Sequence, residues 1–130
     1  MGSTLRFLSV EDVILIHDDT IRNDGGLPGI RDIGLLTSAV MMPQQMFGGE
    51  YLHDGIAAMG AAYLFHIARN HPFSDGNKRA GVLAMLVFFE ANGVRPLPES
   101  TELETVTLSV AAGDLGKEAL TKWLRERLKV

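Results

Sequence analysis

The sequence predicts an all-α protein, a compact bundle of about six helices with one short β-hairpin. Apolar residues recur at helical spacing in most segments, whereas the strict alternation typical of strands is rare. Two segments, "IAAMGAAYLFHIAR" and "AGVLAMLVFFEANG", are apolar on nearly all sides. Helices of this kind are buried, so we expect these two at the centre of the bundle.

The composition favours one globular domain over residues 1–130. The chain is 46% hydrophobic and 22% charged, and its length suits a single core. It has no cysteine, which excludes disulfides and fits a reducing cytoplasm, where we expect the protein to lie. The net charge of −4 gives no support to direct nucleic-acid binding. No apolar run reaches the roughly 18–20 residues of a membrane span, so no membrane association is expected.

Capping signals define the first helices. Ser9, with Asp12 three residues later, is a capping arrangement ahead of "VEDVILIHDDTIRN", and "NDGG" ends that helix. Asp32 is expected to cap "IGLLTSAVMM", and Pro43 to end it. We interpret "GGLPGIRD", the segment just before that helix, as a turn. This interpretation is preferred over one in which Arg31 contacts a nucleotide, a target or a partner.

The later segments alternate between helix and turn. Residues 43–54 lack helical periodicity, and Gly48-Gly49 suits a two-residue hairpin turn. Asp54 is predicted to cap the third helix, and Asn92-Gly93 to end the fourth. Two amphipathic helices finish the chain. The last of them places four large apolar residues on one face: Leu120, Trp123, Leu124 and Leu128.

A polar loop, "HPFSDGNKR" at positions 71–79, separates the two apolar helices. Pro72 forbids a continuous helix through His71, and Gly76 permits a sharp turn. The new helix is expected to begin near Asn77. Its first turn would present unpaired N–H groups and the positive end of the helix dipole, which together favour an anion.

The charged residues of this loop indicate phosphate chemistry. Lys78 and Arg79 lie at the end of a helix that normally disfavours cations, which implies a bound anion such as a polyphosphate. Asp75 either neutralises these cations or holds Mg²⁺ beside phosphate. The His71 imidazole can take a proton from a hydroxyl, and Phe73 is expected to anchor the loop in the core. These are the parts of phosphoryl or nucleotidyl transfer, without the Walker "GxxxxGK[ST]" loop.

The loop resembles the motif HxFx(D/E)xN(G/K)R of the Fic/Doc superfamily. The similarity is closest to the Doc (death on curing) toxins of toxin–antitoxin modules, because Lys78 stands where Fic AMP-transferases carry glycine. "LSVEDVILIHD", "GGLPGIRDIGLL" and "VAAGDL" also look like Doc segments in Doc order. The resemblance implies the all-α Fic/Doc fold and an ATP- and Mg²⁺-dependent transferase that acts on a protein hydroxyl.

The resemblance also implies a role for each motif residue. His71 would be the general base and Asp75 the metal ligand. The remaining predicted site residues would bind the nucleotide: Gly76, Asn77, Lys78 and Arg79. Doc toxins phosphorylate a threonine of elongation factor Tu and are silenced by a Phd-type antitoxin, so we expect both kinds of partner here. Residues 43–54 would form the flap that positions the target chain.

Three alternatives stay open. Pro72 and Gly76 are typical of Fic proteins, which favours AMP transfer, although the added charge of Lys78 favours a kinase. A catalytically idle co-repressor is a second alternative, and the intact motif disfavours it.

The third alternative comes from the doublet His53-Asp54, which is typical of metal-dependent phosphohydrolases. That interpretation would recruit His17 and Asp75, but it leaves the two cations of the loop unexplained. His17 and His53 are more simply surface or packing residues, and His66 a buried, hydrogen-bonded one.

Overall fold

The computed structural model describes residues 4–129, which form six α-helices and one small antiparallel sheet. The helices are α1 (Val10–Asp24), α2 (Ile33–Met41), α3 (Ile56–Asn70), α4 (Asn77–Ala91), α5 (Ser100–Ala112) and α6 (Lys117–Leu128). The strands are β1 (Met46–Phe47) and β2 (Glu50–Tyr51), and a 3₁₀ turn, Met42–Gln44, follows α2. The predicted six-helix bundle with a hairpin is therefore confirmed.

α3 and α4 pack against each other at the centre, as predicted. Gly60 of α3 faces Phe89 of α4 so closely that a Cβ at position 60 would overlap the ring. A Cβ at Gly81 of α4 would lie 3.2 Å from the carbonyl oxygen of Leu64. Both glycines let the helices approach closely, and this contact fixes where α3 ends relative to the start of α4.

The predicted caps of α1 and α2 are present. The backbone N–H of Asp12 donates to Ser9 Oγ (3.0 Å), and that of Ser9 donates to Asp12 Oδ2 (2.8 Å), which completes a capping box. α1 ends at Asp24, followed by Gly25 with a φ of 83°. Asp32 Oδ1 accepts from the Leu35 N–H (3.0 Å) at the start of α2.

Two helix boundaries differ from the prediction. The residue before α3 is Gly55, not Asp54, and no side chain caps this helix. With a φ of 91°, Gly55 turns the chain directly into the helix, which leaves the Asp54 carboxylate out of register with the first N–H groups. α2 ends at Met41, and Pro43 lies inside the 3₁₀ turn rather than just after the helix.

The hairpin and α6 lie where the sequence indicated. Met46 pairs with Tyr51, the turn contains Gly48 and Gly49, and Phe47 is 84% exposed. The Tyr51 ring lies 5.6 Å from that of Phe7, which attaches the hairpin to the body of the protein. On the predicted apolar face of α6, Leu120, Leu124 and Leu128 are buried. Trp123, the fourth residue of that face, is partly buried. Within residues 4–129, no helix is long and apolar enough to cross a membrane.

Candidate active site

The motif loop, residues 71–76, connects α3 to α4 through two left-handed residues. His71 ends α3 with φ 52° and ψ 54°, and Gly76 precedes α4 with φ 75° and ψ 19°. The new helix begins at Asn77, as predicted. Gly76 adopts such angles without strain, whereas for His71 they are costly, the more so because a proline follows. The surrounding structure must therefore hold His71 in place.

An extended segment that we call the strap, residues 27–32, lies alongside the motif loop. The N–H groups of Arg31 and Asp32 both donate to the Pro72 carbonyl, at 2.8 and 3.1 Å. The Ser74 N–H donates to the Gly29 carbonyl at 3.1 Å, and an antiparallel bridge joins the two segments between them. The sequence interpretation of this segment as a turn missed the pairing, which ties the motif loop to the connection between α1 and α2.

The Arg31 side chain contacts the end of α3. Its Nε donates to the His71 carbonyl (2.7 Å), and a terminal nitrogen donates to the Asn70 carbonyl (3.0 Å). These carbonyls lie in the last turn, where helices leave acceptors unpaired and favour cations. Arg31 is therefore more than part of a turn, and its partner is the protein's own backbone.

Phe73 anchors the motif loop as predicted, and His17 is its unforeseen partner. Phe73 is 1% exposed, and the imidazole of His17 stacks on its ring. His17 Nε2 lies 2.7 Å from the Asp75 carbonyl oxygen and donates to it. His17 is thus a packing residue, as one of the sequence interpretations had it, and it is buried directly beneath the loop.

The Asp75 carboxylate is fixed by the backbone. Oδ2 accepts from the Leu27 N–H (3.1 Å), and Oδ1 accepts from the Gly76 N–H (2.9 Å). These two hydrogen bonds, in that order, lower the pKa of the Asp75 carboxyl below its usual value, and the charges of His17 and Lys78 add to the effect. The group is exposed and ionised, and each oxygen keeps a lone pair. Such a carboxylate fits Mg²⁺, which takes one or two carboxylates together with phosphate oxygens.

The first turn of α4 carries the other predicted site residues. Asn77 Oδ1 accepts from the Phe73 N–H (2.9 Å), and its Nδ2 donates to the Phe73 carbonyl (3.0 Å), so this side chain closes the motif loop. Lys78 is exposed, and Arg79 lies 3.5 Å from Asp24 in a half-exposed ion pair. Lys78 and Arg79 thus bring two positive side chains to the N-terminus of α4.

The motif residues open on one cleft of about 630 Å³. Its polar end is lined by residues of the motif and of the first turn of α4: His71, Ser74, Asp75, Gly76, Asn77, Lys78 and Arg79. Its other end runs between α4 and α5 and is lined mainly by apolar side chains. There the hydroxyl of Thr107 is buried without a hydrogen-bond partner among the described residues. The cleft thus joins a charged end to an apolar end that has one unsatisfied hydroxyl.

The match to known proteins agrees with this geometry. The sequence model described as "Fic/DOC family" matches residues 7–89, a span that includes the strap and the motif loop. The chain belongs to the Fic/DOC family. It is similar to "Protein kinase doc" of Escherichia phage P1, 34% identical over 121 residues that cover 93% of this chain and 94% of the relative. It is also similar to "Toxin Doc" of Mycolicibacterium smegmatis, 41% identical over 89 residues that cover 68% of this chain and 66% of the relative.

His53, the histidine whose doublet with Asp54 suggested a phosphohydrolase, contacts a lysine side chain. His53 and His66 both direct Nε2 at the Lys117 ammonium, each at 3.0 Å. Within residues 4–129, no group of three or more histidine, cysteine, aspartate or glutamate side chains is placed to hold a metal ion. His53 is therefore a partner of Lys117, and His66 is hydrogen-bonded as expected.

Proposed function

We propose that this Fic/DOC protein is a Doc-type toxin, an ATP- and Mg²⁺-dependent kinase that phosphorylates a threonine of a translation factor, elongation factor Tu. A Phd-type antitoxin would silence it by covering the cleft. The support is one juxtaposition: the exposed His71, the fixed Asp75 carboxylate and the cationic N-terminus of α4 open on the same cleft. The printed names of the two relatives, a protein kinase and a toxin, agree with both parts of the proposal.

Each side chain has a role in the proposed reaction. His71 takes the proton from the target hydroxyl while the oxygen attacks the γ-phosphorus of ATP and the bond to ADP breaks. Asp75 would hold Mg²⁺, which neutralises phosphate charge when bound. Lys78, Arg79 and the N–H groups that start α4 stabilise the charge that develops on the transferred phosphate. Gly76 contributes the positive φ that turns the chain into α4, and its missing Cβ lets the loop pack on Ile21 and His17. Asn77 contributes by keeping the loop closed.

A cleft of this size and lining would accommodate a nucleotide. The phosphates would lie at the charged end, and the nucleoside would lie between α4 and α5.

AMP transfer is the second candidate, because Pro72 and Gly76 are typical of Fic proteins. The two reactions need opposite orientations of the nucleotide, and Lys78 decides between them in our proposal. Lys78 lines the phosphate end of the cleft, where its positive charge would favour the orientation that presents the γ-phosphate.

The test supplies ATP labelled at either the γ- or the α-phosphate to the protein and a cell lysate, with His71→Ala as the control. We expect label only from the γ-position, on a protein of the size of elongation factor Tu. Label from the α-position alone would establish AMP transfer instead. No label from either position, with His71 intact, would favour a binding module that acts through an antitoxin.

A further inference from the structure

We propose that Arg31 is a positioning residue for the transfer step, one that holds the end of α3 and thereby aims the His71 imidazole. This inference rests on the proposed role of His71 as the base. Arg31 does not line the cleft, so it acts through the backbone and not by touching the nucleotide.

The contacts of the guanidinium support this role. Nε binds the carbonyl of His71 itself, and a second nitrogen binds the carbonyl of the preceding residue, Asn70. The planar fork of an arginine can hold two neighbouring carbonyls at once, which a lysine ammonium cannot do with the same rigidity. Two fixed carbonyls define the planes of the two peptide groups that follow Asn70 and His71.

His71 needs such support because of its backbone conformation. Its φ of 52° is unusual for a residue with a Cβ, and a following proline disfavours helical ψ values further. Without Arg31, the residue is expected to relax towards an extended conformation with negative φ. The imidazole would then leave its place at the edge of the cleft.

The metal half of the site has separate supports. Asp75 is held by the N–H of Leu27 and, through its carbonyl, by His17. The strap also keeps two hydrogen bonds to the Pro72 carbonyl from backbone N–H groups that any side chain at position 31 would retain. Loss of the guanidinium should therefore disturb the base and leave the nucleotide and Mg²⁺ sites intact.

The kinetic test is a double-mutant cycle between Arg31→Met and His71→Ala, followed with whichever ATP label the wild type transfers. We expect Arg31→Met to lower kcat by about 10- to 100-fold, the effect of a misplacement near 1 Å, with the dissociation constant for Mg-ATP unchanged. The kcat of Arg31→Lys should lie between the kcat of the wild type and that of Arg31→Met. In the His71→Ala background, Arg31→Met should cause no further loss, because a residue that acts only through His71 has nothing left to position.

An NMR measurement tests the positioning independently of activity. A positive φ brings the amide and α protons of one residue closer together, so His71 should show a strong intraresidue NOE in the wild type. We expect that NOE to weaken in Arg31→Met and to persist in Arg22→Met, a control whose guanidinium pairs with Asp19 in α1. If Arg31→Met does not fold, Arg31→Lys replaces it in both experiments.

Three results would overturn the proposal: an unchanged NOE, a weaker affinity for Mg-ATP with kcat unchanged, or a full further loss in the His71→Ala background. If the wild type transfers neither label, the proposed kinase is wrong. The NOE alone then decides whether Arg31 positions His71.

Discussion

The imidazole of His17 lies flat on the ring of Phe73, with centroids 3.7 Å apart and planes only 2° from parallel. The same imidazole donates a hydrogen bond to the Asp75 carbonyl. One buried side chain of α1 thus supports both the anchor of the motif loop and its proposed metal ligand.

Replacement of His17 should therefore destabilise the fold and the site together. We expect His17→Leu to lower the free energy of unfolding by about 1–3 kcal/mol, because leucine fills most of the space but offers neither the hydrogen bond nor the ring stacking. His17→Gln, which can keep a donor, should lose less. Urea denaturation measures both values. Equal stability of the leucine variant and the wild type would show that the stacked pair contributes nothing.

His71→Gly should be more stable than His71→Ala, and both variants should lose most of the transfer activity. Relief of the left-handed conformation is expected to exceed the entropic cost of glycine, with a net gain of about 0.5–1 kcal/mol over His71→Ala. Both variants lack the proposed base, so both should transfer label only at a low residual rate. The comparison is again made by urea denaturation. A glycine variant less stable than the alanine variant would mean that the conformation of His71 carries no strain.

Gly25 and Gly26 form a matched pair for the role of Asp75. Both have positive φ, and Gly25, with a ψ of −177°, adopts a conformation that is essentially restricted to glycine, so alanine is expected to cost about 1–3 kcal/mol at either position. A Cβ at Gly26 would lie 2.8 Å from Asp75 Oδ2, whereas a Cβ at Gly25 would meet nothing within 4 Å. We expect Gly26→Ala to raise the Mg²⁺ concentration needed for half-maximal activity by several-fold, and Gly25→Ala to leave it unchanged. The same Mg²⁺ requirement in both variants would argue against Asp75 as the ligand.

Lys78→Gly should lower phosphoryl transfer sharply and leave the protein folded. Its side chain is exposed, so the loss of stability should not exceed the cost of a glycine in a helix, about 1 kcal/mol. Lys122→Gly, on the exposed side of α6, is the control for that cost. Circular-dichroism melting gives the stability and γ-labelled ATP the activity. Gross unfolding of the Lys78 variant alone would show that this side chain is structural.

The cluster of His53, His66 and Lys117 should make stability depend on pH. Burial, and then the Lys117 charge, lower the pKa of His66 from 6.5 to about 4, and the same causes lower that of His53. The folded state therefore favours neutral imidazoles. The stability that depends on the neutral histidines is fully present above pH 6.5, their pKa in the unfolded chain. That contribution is lost as the pH falls from 6.5 towards 4, because the unfolded state then binds protons that the folded state does not.

The size of this loss can be measured by urea denaturation at pH 7 and at pH 4.5. We expect a decrease of about 1–2 kcal/mol, less than the full shift of the His66 pKa implies because solvent screens a partly exposed group. His66→Gln should remove much of the decrease. An equal decrease in wild type and variant would assign the pH dependence to other groups.

Local signals predicted the elements of this fold well. Capping residues, glycines and apolar periodicity act over three or four residues, which is why α1, the hairpin turn and the start of α4 were predicted correctly. The burial of His17 also had such a signal, since it follows Val10, Val13 and Ile14 at helical spacing. Asp54 does not cap α3, although aspartate is a favoured N-cap residue, because Gly55 with its positive φ takes the position directly before the helix.

The pairing of the strap with the motif loop had no comparable signal. Arg31 and His71 are 40 residues apart, and neither segment has a periodic pattern that could have revealed its neighbour. The residue types of the motif are the basis of the proposed chemistry, but the contacts that hold His71 and Asp75 depend on how α1, α2 and α3 pack. Such contacts follow from tertiary structure alone.

The dependence of the motif loop on the strap limits how far the motif can be transplanted. A fragment of α3, the motif loop and α4 would retain all nine letters of "HPFSDGNKR". It would lack the donors to Pro72 and Asp75 that the strap supplies from a separate stretch of chain. Grafting these nine residues between two helices of another scaffold should therefore transfer the sequence without the site, and a working graft must carry residues 27–32 as a second insert.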